Sequence, residues 1–424
     1  MAGEFEWYVG IDWAMDAHEL CVIDAAGAVI DKGSATHSGD GLAELADRLL
    51  RLCSSEPERV AVAIEVPHGA VVETLLERGF AVFSLNPKQL DRFRDRYSPA
   101  GAKDDRLDAY VLADSARTDL HCFRRLHVPP AEMIRLRELV RTEEELKRDL
   151  RRTANRLREL LHRYYPQMLA LSPAADEPWF WDLVARAPVP DKGRRLREST
   201  LQKLLRKHRI RRLSPGDIRT ALQLESLRLA PGSVAAASDH VAVLIPRLQL
   251  THRQLNQVQH SIGALLEQLS GQPHAEADPA DPEPECREHR DVEILLSSPG
   301  IGRIVAATML AQAHWAISHR DYHAFRAQAG LAPITRSSGR SRRVMMRRAC
   351  DNRLRNACYH MARVASMHDP AARAQYSELR SRGHSHGRAL RGVADRLLRI
   401  ICAMLRDGTL YDPTRFAPEL TVAA

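Results

Sequence analysis

Four carboxylates set the chemistry open to this chain. Asp12 stands in Val9-Gly10-Ile11-Asp12-Trp13-Ala14, and Glu65 in Ala61-Val62-Ala63-Ile64-Glu65-Val66. Asp105 and Asp108 stand in Lys103-Asp104-Asp105-Arg106-Leu107-Asp108-Ala109. Each lies within or at the end of an apolar run, or on a short helix that opens on polar residues. Carboxylates in such places are costly to bury unless positive charge sits between them. A pair of divalent cations is the simplest source of that charge. Carboxylate oxygen suits Mg²⁺, which keeps its waters and a substrate phosphate. The pattern therefore points to two-metal phosphodiester chemistry.

The elements that must position these acids come from hydrophobic periodicity. Residues 7–13 read as a buried strand, 19–24 as a second and 28–33 as a third, with Ala25-Ala26-Gly27 as a turn. Helical spacing follows over 42–52, a strand over 59–65, a helix over 69–78 and a strand over 81–85. Asn86-Pro87 opens another helix, since Pro suits a first turn. A loop with Pro99 and Gly101 covers 97–102, and a last helix starts near Asp104. The order β-β-β-α-β-α-β-α resembles the ribonuclease H or RuvC-like fold, in which the first and fourth strands are neighbours. Asp12 and Glu65 then face each other, and Asp105 and Asp108 share one helix face. Together the four could hold two metals about 4 Å apart. The plainer alternatives are that Asp12 ends a strand, that Asp104 caps the helix, and that acids at a helix start serve its dipole. Asp104 also shares a face with Asp108.

The chain has 424 residues, enough for two or three domains with sizeable cores. Hydrophobic residues make up 44%, which excludes wholesale disorder. Lys and Arg number 62 against 54 acids, for a net charge of +8, and the excess is concentrated in arginine. The guanidinium fork suits phosphate, so nucleic acid is the leading partner. The cysteines, at 21, 53, 122, 286, 350, 358 and 402, form no Cys-x-x-Cys pair, which argues for reduced thiols and against a zinc site or disulfide framework. The N-terminus has no signal-peptide pattern, and no apolar run is long enough to span a membrane. A cytoplasmic protein with no membrane partner is expected.

The expected organisation is α/β followed by all-α. A domain over 5–125 carries the acids. Residues 126–270 form an arm of two long amphipathic helices with coiled-coil character, 131–165 and about 238–269, closed by Pro166 and interrupted by Pro246. An ordinary helical bundle fits the same spacing. Between the two helices, about 172–232 is a basic helical insert. Its run from Lys203 to Arg212 holds Lys203, Arg206, Lys207, Arg209, Arg211 and Arg212 without an acid, which reads as a phosphate-binding patch or a solvated face. Residues 271–288, rich in Pro, Asp and Glu, read as a linker.

A mainly helical domain over 289–424 begins with Pro299-Gly300-Ile301-Gly302, which resembles a helix-hairpin-helix element. Gly300 and Gly302 could let backbone N–H groups approach a phosphate at a helix N-terminus. Further on, Thr335-Arg336-Ser337-Ser338-Gly339-Arg340-Ser341-Arg342-Arg343 reads as a basic loop. A serine among arginines is what attack on a phosphodiester requires, because guanidinium groups stabilise the developing charge. Arg336, Arg340, Arg342 and Arg343 are the candidate phosphate contacts.

Taken in order, the four acids, Pro299-Gly300-Ile301-Gly302, Ala329-Gly330-Leu331-Ala332-Pro333 and Ser338-Gly339 resemble the insertion sequence 110 family of DEDD transposases, relatives of the Piv DNA invertases. Asn352-Arg353-Leu354-Arg355 and the tail with Tyr376, Arg382-Gly383, His386, Ala389-Leu390-Arg391 and Tyr411-Asp412 extend the likeness. The family often has Gly-Asn ahead of the Leu-Arg pair, where this chain has Cys350-Asp351-Asn352. The resemblance implies a RuvC-like domain binding Mg²⁺ through Asp12, Glu65, Asp105 and Asp108. It also implies a transposase domain supplying a serine nucleophile, matched here by Ser338 with Ser337 and Ser341 close by. Donor and target DNA, a structured guide RNA encoded by the element, and a dimer or tetramer are the implied partners. The implied reaction is excision and insertion of a mobile element through a covalent phosphoserine link. A junction-resolving nuclease with water as nucleophile is the alternative.

Overall fold

Strand β1 (Trp7–Asp12) lies at the centre of a six-stranded sheet in a computed structural model describing residues 5–97, 104–271, 284–339 and 341–415. All but Tyr97 of the loop expected over 97–102, most of the linker expected over 271–288, and Arg340 lie outside the described residues. The chain divides into two units, Met1–Pro129 and Pro130–Ala424.

In the first unit, β1 runs antiparallel to β2 (Ala17–Asp24), which pairs antiparallel with β3 (Val29–Thr36). Helix α1 (Gly39–Leu52) is capped by Ser38, which accepts from the Gly41 N–H. Strand β4 (Val60–Ile64) then pairs parallel with β1, with Ile11 opposite Ile64. Helix α2 (Ala70–Glu77), strand β5 (Ala81–Ser84), α3 (Pro87–Arg94), α4 (Asp105–Asp119) and a two-residue strand β6 (Arg124–Arg125) follow. The sheet order is β3-β2-β1-β4-β5-β6. The expected element order is present, and β6 extends it; nothing in the sequence signalled β6.

Both faces of β1 and β4 are buried, as parallel strands require. Side chains alternate between faces. Val9, Ile11, Val62 and Ile64 pack with Leu42, Leu45 and Leu49 of α1 and with α2. Tyr8, Ala61 and Ala63 face the opposite side, against Ala109, Leu112 and Ala113 of α4. Gly10, Ala61 and Ala63 keep that side thin, so α4 lies directly on the strands.

Among its described residues, the second unit is helical apart from one hairpin. Its helices are α5 (Ala131–Tyr164), α6 (Pro166–Leu169), α7 (Pro178–Arg186), α8 (Pro190–Arg194), α9 (Glu198–Lys207), α10 (Pro215–Gln223), α11 (Pro231–Gly271), α12 (Pro284–Ser297), α13 (Arg303–Ser318) and α14 (Tyr322–Gln328). The hairpin β7 (Pro333–Ser338) and β8 (Ser341–Met346) precedes α15 (Asn352–His368), α16 (Pro370–Ser381) and α17 (His386–Asp407). α5 and α11 run side by side in opposite directions. Met133, Leu136 and Val140 share one core with Ile262, Leu265 and the helices after α11. Ala154, Leu157 and Leu161 share another with α7, α9, α10 and Val241, Leu244 and Leu248. The two long helices thus tie the insert to the C-terminal helices within one chain. Between the two cores Glu143 is buried, held by Lys147 at 2.6 Å and Gln259 at 2.8 Å. α11 starts at Pro231, earlier than its periodicity suggests, and continues through Pro246. Among the described residues no helix is long and apolar enough to cross a membrane.

Candidate active site

Strand alternation fixes where the acids of β1 and β4 point. Asp12 ends β1 on the side of Tyr8 and Gly10, and Glu65 follows β4 one step beyond Ile64. Both are partly buried. They stand at the carboxyl ends of adjacent parallel strands, where open α/β sheets place their sites. α4 is brought to the same edge. Gly10 lies against the backbone of Ala109, and Arg106 approaches Glu19, the residue opposite Asp12 on β2, at 3.7 Å. Asp105 is exposed in the first turn of α4. Asp104 is its N-cap, accepting from the Arg106 N–H at 3.2 Å, so the capping alternative holds for that residue.

Asp108 is placed differently from an open ligand. It is 2% exposed, and Arg94 donates from Nε to Oδ1 at 2.5 Å and from Nη2 to Oδ2 at 2.7 Å. The hydrogen bond to Asp108 pushes the Arg94 guanidinium above its ordinary range. Among the described residues, no three His, Cys, Asp or Glu side chains are arranged to hold a metal ion. The donor chemistry nevertheless fits a hard divalent cation. Asp12, Glu65 and Asp105 offer only carboxylate oxygen at one sheet edge, and both oxygens of Asp108 are engaged by Arg94.

A histidine pair that the sequence gave no reason to single out flanks this edge. His18 is buried, and its Nδ1 accepts from the Ala14 N–H at 3.3 Å. Its Nε2 therefore carries the proton and donates to His37 Nδ1, 2.9 Å away. Burial, and then His37, lowers the His18 pKa. Trp13, next to Asp12, packs beside both rings.

Ser338 lies in the second unit, so the acids and the serine belong to separate units. Its segment is a hairpin, which corrects the expected loop. Register pairs Ser338 with Ser341, Arg336 with Arg343, and Ser337 with Arg342. By alternation, Ser338, Ser341, Arg336 and Arg343 share one face, and Ser337 and Arg342 the other. The hairpin residues around the turn are exposed, and Gly339 turns the chain with φ +53°. Two arginines opposite each other repel, so this face is electrostatically ready for an anion.

The glycines of the expected helix-hairpin-helix element divide. Gly300, at φ +79°, packs against α15: a Cβ there meets the Met361 carbonyl oxygen at 2.2 Å. It is a packing glycine, required there by close approach and by its φ. Gly302 is the N-cap of α13 and open. Asp351, where the sequence departs from the usual pattern, caps α15 by accepting from the Leu354 N–H at 2.8 Å.

The basic run of the insert is narrower than its sequence. Lys207 donates to Asp182 at 2.7 Å, beside His208. Arg212 donates to both Glu177 oxygens and lies over Trp179. Lys203, Arg206, Arg209 and Arg211 are exposed, with no ion pair among the described residues.

Residues 9–166 match the DEDD transposase profile of the IS110 type, and residues 292–377 match the profile described as Transposase IS116/IS110/IS902 family. The chain belongs to the IS110 family of transposases. The "Mini-circle putative transposase for IS117" of Streptomyces coelicolor is 33% identical over 98% of both chains. The IS110 43.6 kDa protein of the same organism is 30% identical over 90% of this chain and 94% of its own. A transposase-named protein of Sinorhizobium fredii, y4uE, is 48% identical over half of this chain and 59% of that protein's length. The first matched region carries all four acids, and the second carries Ser338 and its arginines.

Proposed function

We propose that this IS110-family transposase cuts and rejoins DNA to excise and insert a mobile element, with Asp12, Glu65, Asp105 and Asp108 as Mg²⁺ ligands and Ser338 as nucleophile. The observation that carries the reading is the shared face of Ser338, Arg336 and Arg343 on an exposed hairpin. The sheet order β3-β2-β1-β4-β5 supports a RuvC-like reading of the first unit. Bound at the acids, two Mg²⁺ ions would supply Lewis-acid stabilisation of phosphate oxygens.

The chain's own residues account for the rest. The Ser338 hydroxyl attacks the scissile phosphorus and gives up its proton to solvent water. An O–P bond to the serine forms as the bond to the leaving deoxyribose oxygen breaks, and that oxygen takes a proton. Arg336 and Arg343 neutralise the non-bridging oxygens. Reversal with a second DNA end rejoins the strand. With the family resemblance, the reading includes a homo-oligomer, dimer or tetramer, and the acids and the serine meet within one chain or between chains. A structured guide RNA provides sequence choice by base pairing, while the protein reads backbone and shape. The exposed Lys203, Arg206, Arg209 and Arg211 are its proposed phosphate contacts, with Arg342, Arg340 and the open Gly302 turn serving DNA.

Covalent trapping tests this. Protein, flanking RNA, Mg²⁺ and labelled junction DNA are quenched in denaturant and resolved on a gel. A protein–DNA adduct is expected, lost in Ser338→Ala, in Asp12→Ala and without Mg²⁺. Cleavage without an adduct, unchanged in Ser338→Ala, would replace the reading with a water-using nuclease.

A further inference from the structure

The ion pair between Arg94 and Asp108 bears on how the acid site is held before a cation arrives; the inference rests on the tetrad reading above. Arg94 is the last residue of α3, and Asp108 lies in the first turn of α4. The guanidinium engages both carboxylate oxygens, at 2.5 and 2.7 Å, and its third nitrogen donates to Asp91 at 2.9 Å. Asp108 is buried, the Arg94 side chain is 16% exposed, and Asp91 lies on the open flank of α3. Asp105 shows no such commitment: it is exposed.

A buried carboxylate without a partner is strongly unfavourable, so a charged Asp108 needs a cation at all times. A bidentate guanidinium covers the oxygen positions that a divalent cation would use. The two cations are therefore mutually exclusive at Asp108. We propose that Arg94 is a resident counter-cation, which holds the Asp108 carboxylate in place and is exchanged for the metal when the site loads. Asp91 retains the guanidinium after it leaves Asp108. By linkage, whatever free energy the Arg94–Asp108 pair subtracts from metal binding, the metal subtracts from the contact between α3 and α4. Arg94 is in this sense a positioning residue, acting through Asp108.

The test is binding of Mn²⁺, followed by the electron paramagnetic resonance of the free ion, to full-length wild type, Arg94→Gln, Arg94→Lys and Asp12→Asn. Thermal melting with and without Mn²⁺ is read in parallel. Arg94→Gln is expected to bind Mn²⁺ about tenfold tighter than wild type, within the usual range of such couplings. Arg94→Lys, which keeps the charge and loses the fork, falls between. Without Mn²⁺ both variants melt below wild type, and Mn²⁺ raises their melting temperatures more. Should Arg94→Gln fail to fold, Arg94→Lys carries the comparison. Equal affinity in wild type and the Arg94 variants, at a site that Asp12→Asn removes, would overturn the exchange and leave the tetrad standing. Weaker binding in the Arg94 variants would overturn it by showing that Arg94 builds the site. Absence of any Mn²⁺ site sensitive to Asp12→Asn would overturn the tetrad reading and the exchange with it.

Discussion

Gly10 and Ala109 meet backbone to backbone: a Cβ on Gly10 would stand 1.9 Å from the Ala109 carbonyl oxygen and 2.6 Å from the Ala113 nitrogen. This contact seats α4 on β1 two residues before Asp12 and one residue after Asp108. No flexible side-chain end is there to yield, so Gly10→Ala forces the helix off the strand. Overpacking of this kind costs about 1–3 kcal/mol or more. Gly10→Ala is therefore expected to lower the melting temperature of the full chain and to abolish adduct formation. A wild-type melting temperature in that variant would show that α4 is not seated this way.

Gly300 plays the same part in the second unit, where a Cβ would lie 2.2 Å from the Met361 carbonyl oxygen at a backbone φ of +79°. Steric and conformational costs add, so Gly300→Ala is expected to destabilise by about 2 kcal/mol or more. Gly302 has nothing near its Cβ position. Gly302→Ala is expected to cost only the preference for Gly over Ala at an N-cap, about 1 kcal/mol or less. Chemical denaturation of the two variants side by side checks the contrast, and equal losses would contradict it.

The His18–His37 pair makes the β1–β2 turn sensitive to pH. Burial, and then His37, holds the His18 pKa below its ordinary value, so the folded chain resists taking up a proton that the unfolded chain accepts. A lowered folded-state pKa means stability that is complete above the unfolded value, about 6.5, and is lost as pH falls toward the folded value. Protonation at Nδ1 also removes the acceptor for the Ala14 N–H. Hydrogen exchange at Ala14, corrected for intrinsic rate, is expected to lose protection below about pH 6.5. The same measurement on His18→Gln should show no step in that range, and a step that survives the substitution would assign it elsewhere.

The first unit was legible because apolar runs bounded by turn residues are a local signal. The runs over 7–12 and 60–64 encode the buried strands, while the side that Gly10, Ala61 and Ala63 open to α4 shows only in the assembled sheet. Asp104 as a cap was among the readings the sequence left open, and geometry alone separated it from Asp105 and Asp108. The Arg94 fork was not legible, since nothing in the spacing of Arg94 and Asp108 says that α3 delivers one to the other. The acid partners of the basic run over 203–212 were not legible for a similar reason. The run contains no acid, but α7 supplies Asp182, and Glu177 immediately precedes α7, so Lys207 and Arg212 are spent on them. The hairpin was hidden by composition: serine and arginine suggested a loop, although Gly339 between two six-residue segments is a turn signal.

The two faces of the hairpin lead to a distinction among its arginines. Arg336 and Arg343 lie opposite each other on the side of Ser338, while Arg342 pairs with Ser337 on the reverse. Each exposed arginine that touches a phosphate contributes to affinity and to its salt dependence, so each Arg→Gln change should reduce the salt slope by about 1. Only arginines facing Ser338 can also meet charge that develops at the attacked phosphate. With DNA saturating, Arg336→Gln and Arg343→Gln are expected to slow single-turnover adduct formation by about 100-fold, the usual cost of one lost donor to an oxyanion. Arg342→Gln is expected to slow it by about an order of magnitude less. Equal loss of rate in all three at saturation would mean that the nucleophile is not committed to the Ser338 face, and Ser337 would then have to be tested in its place.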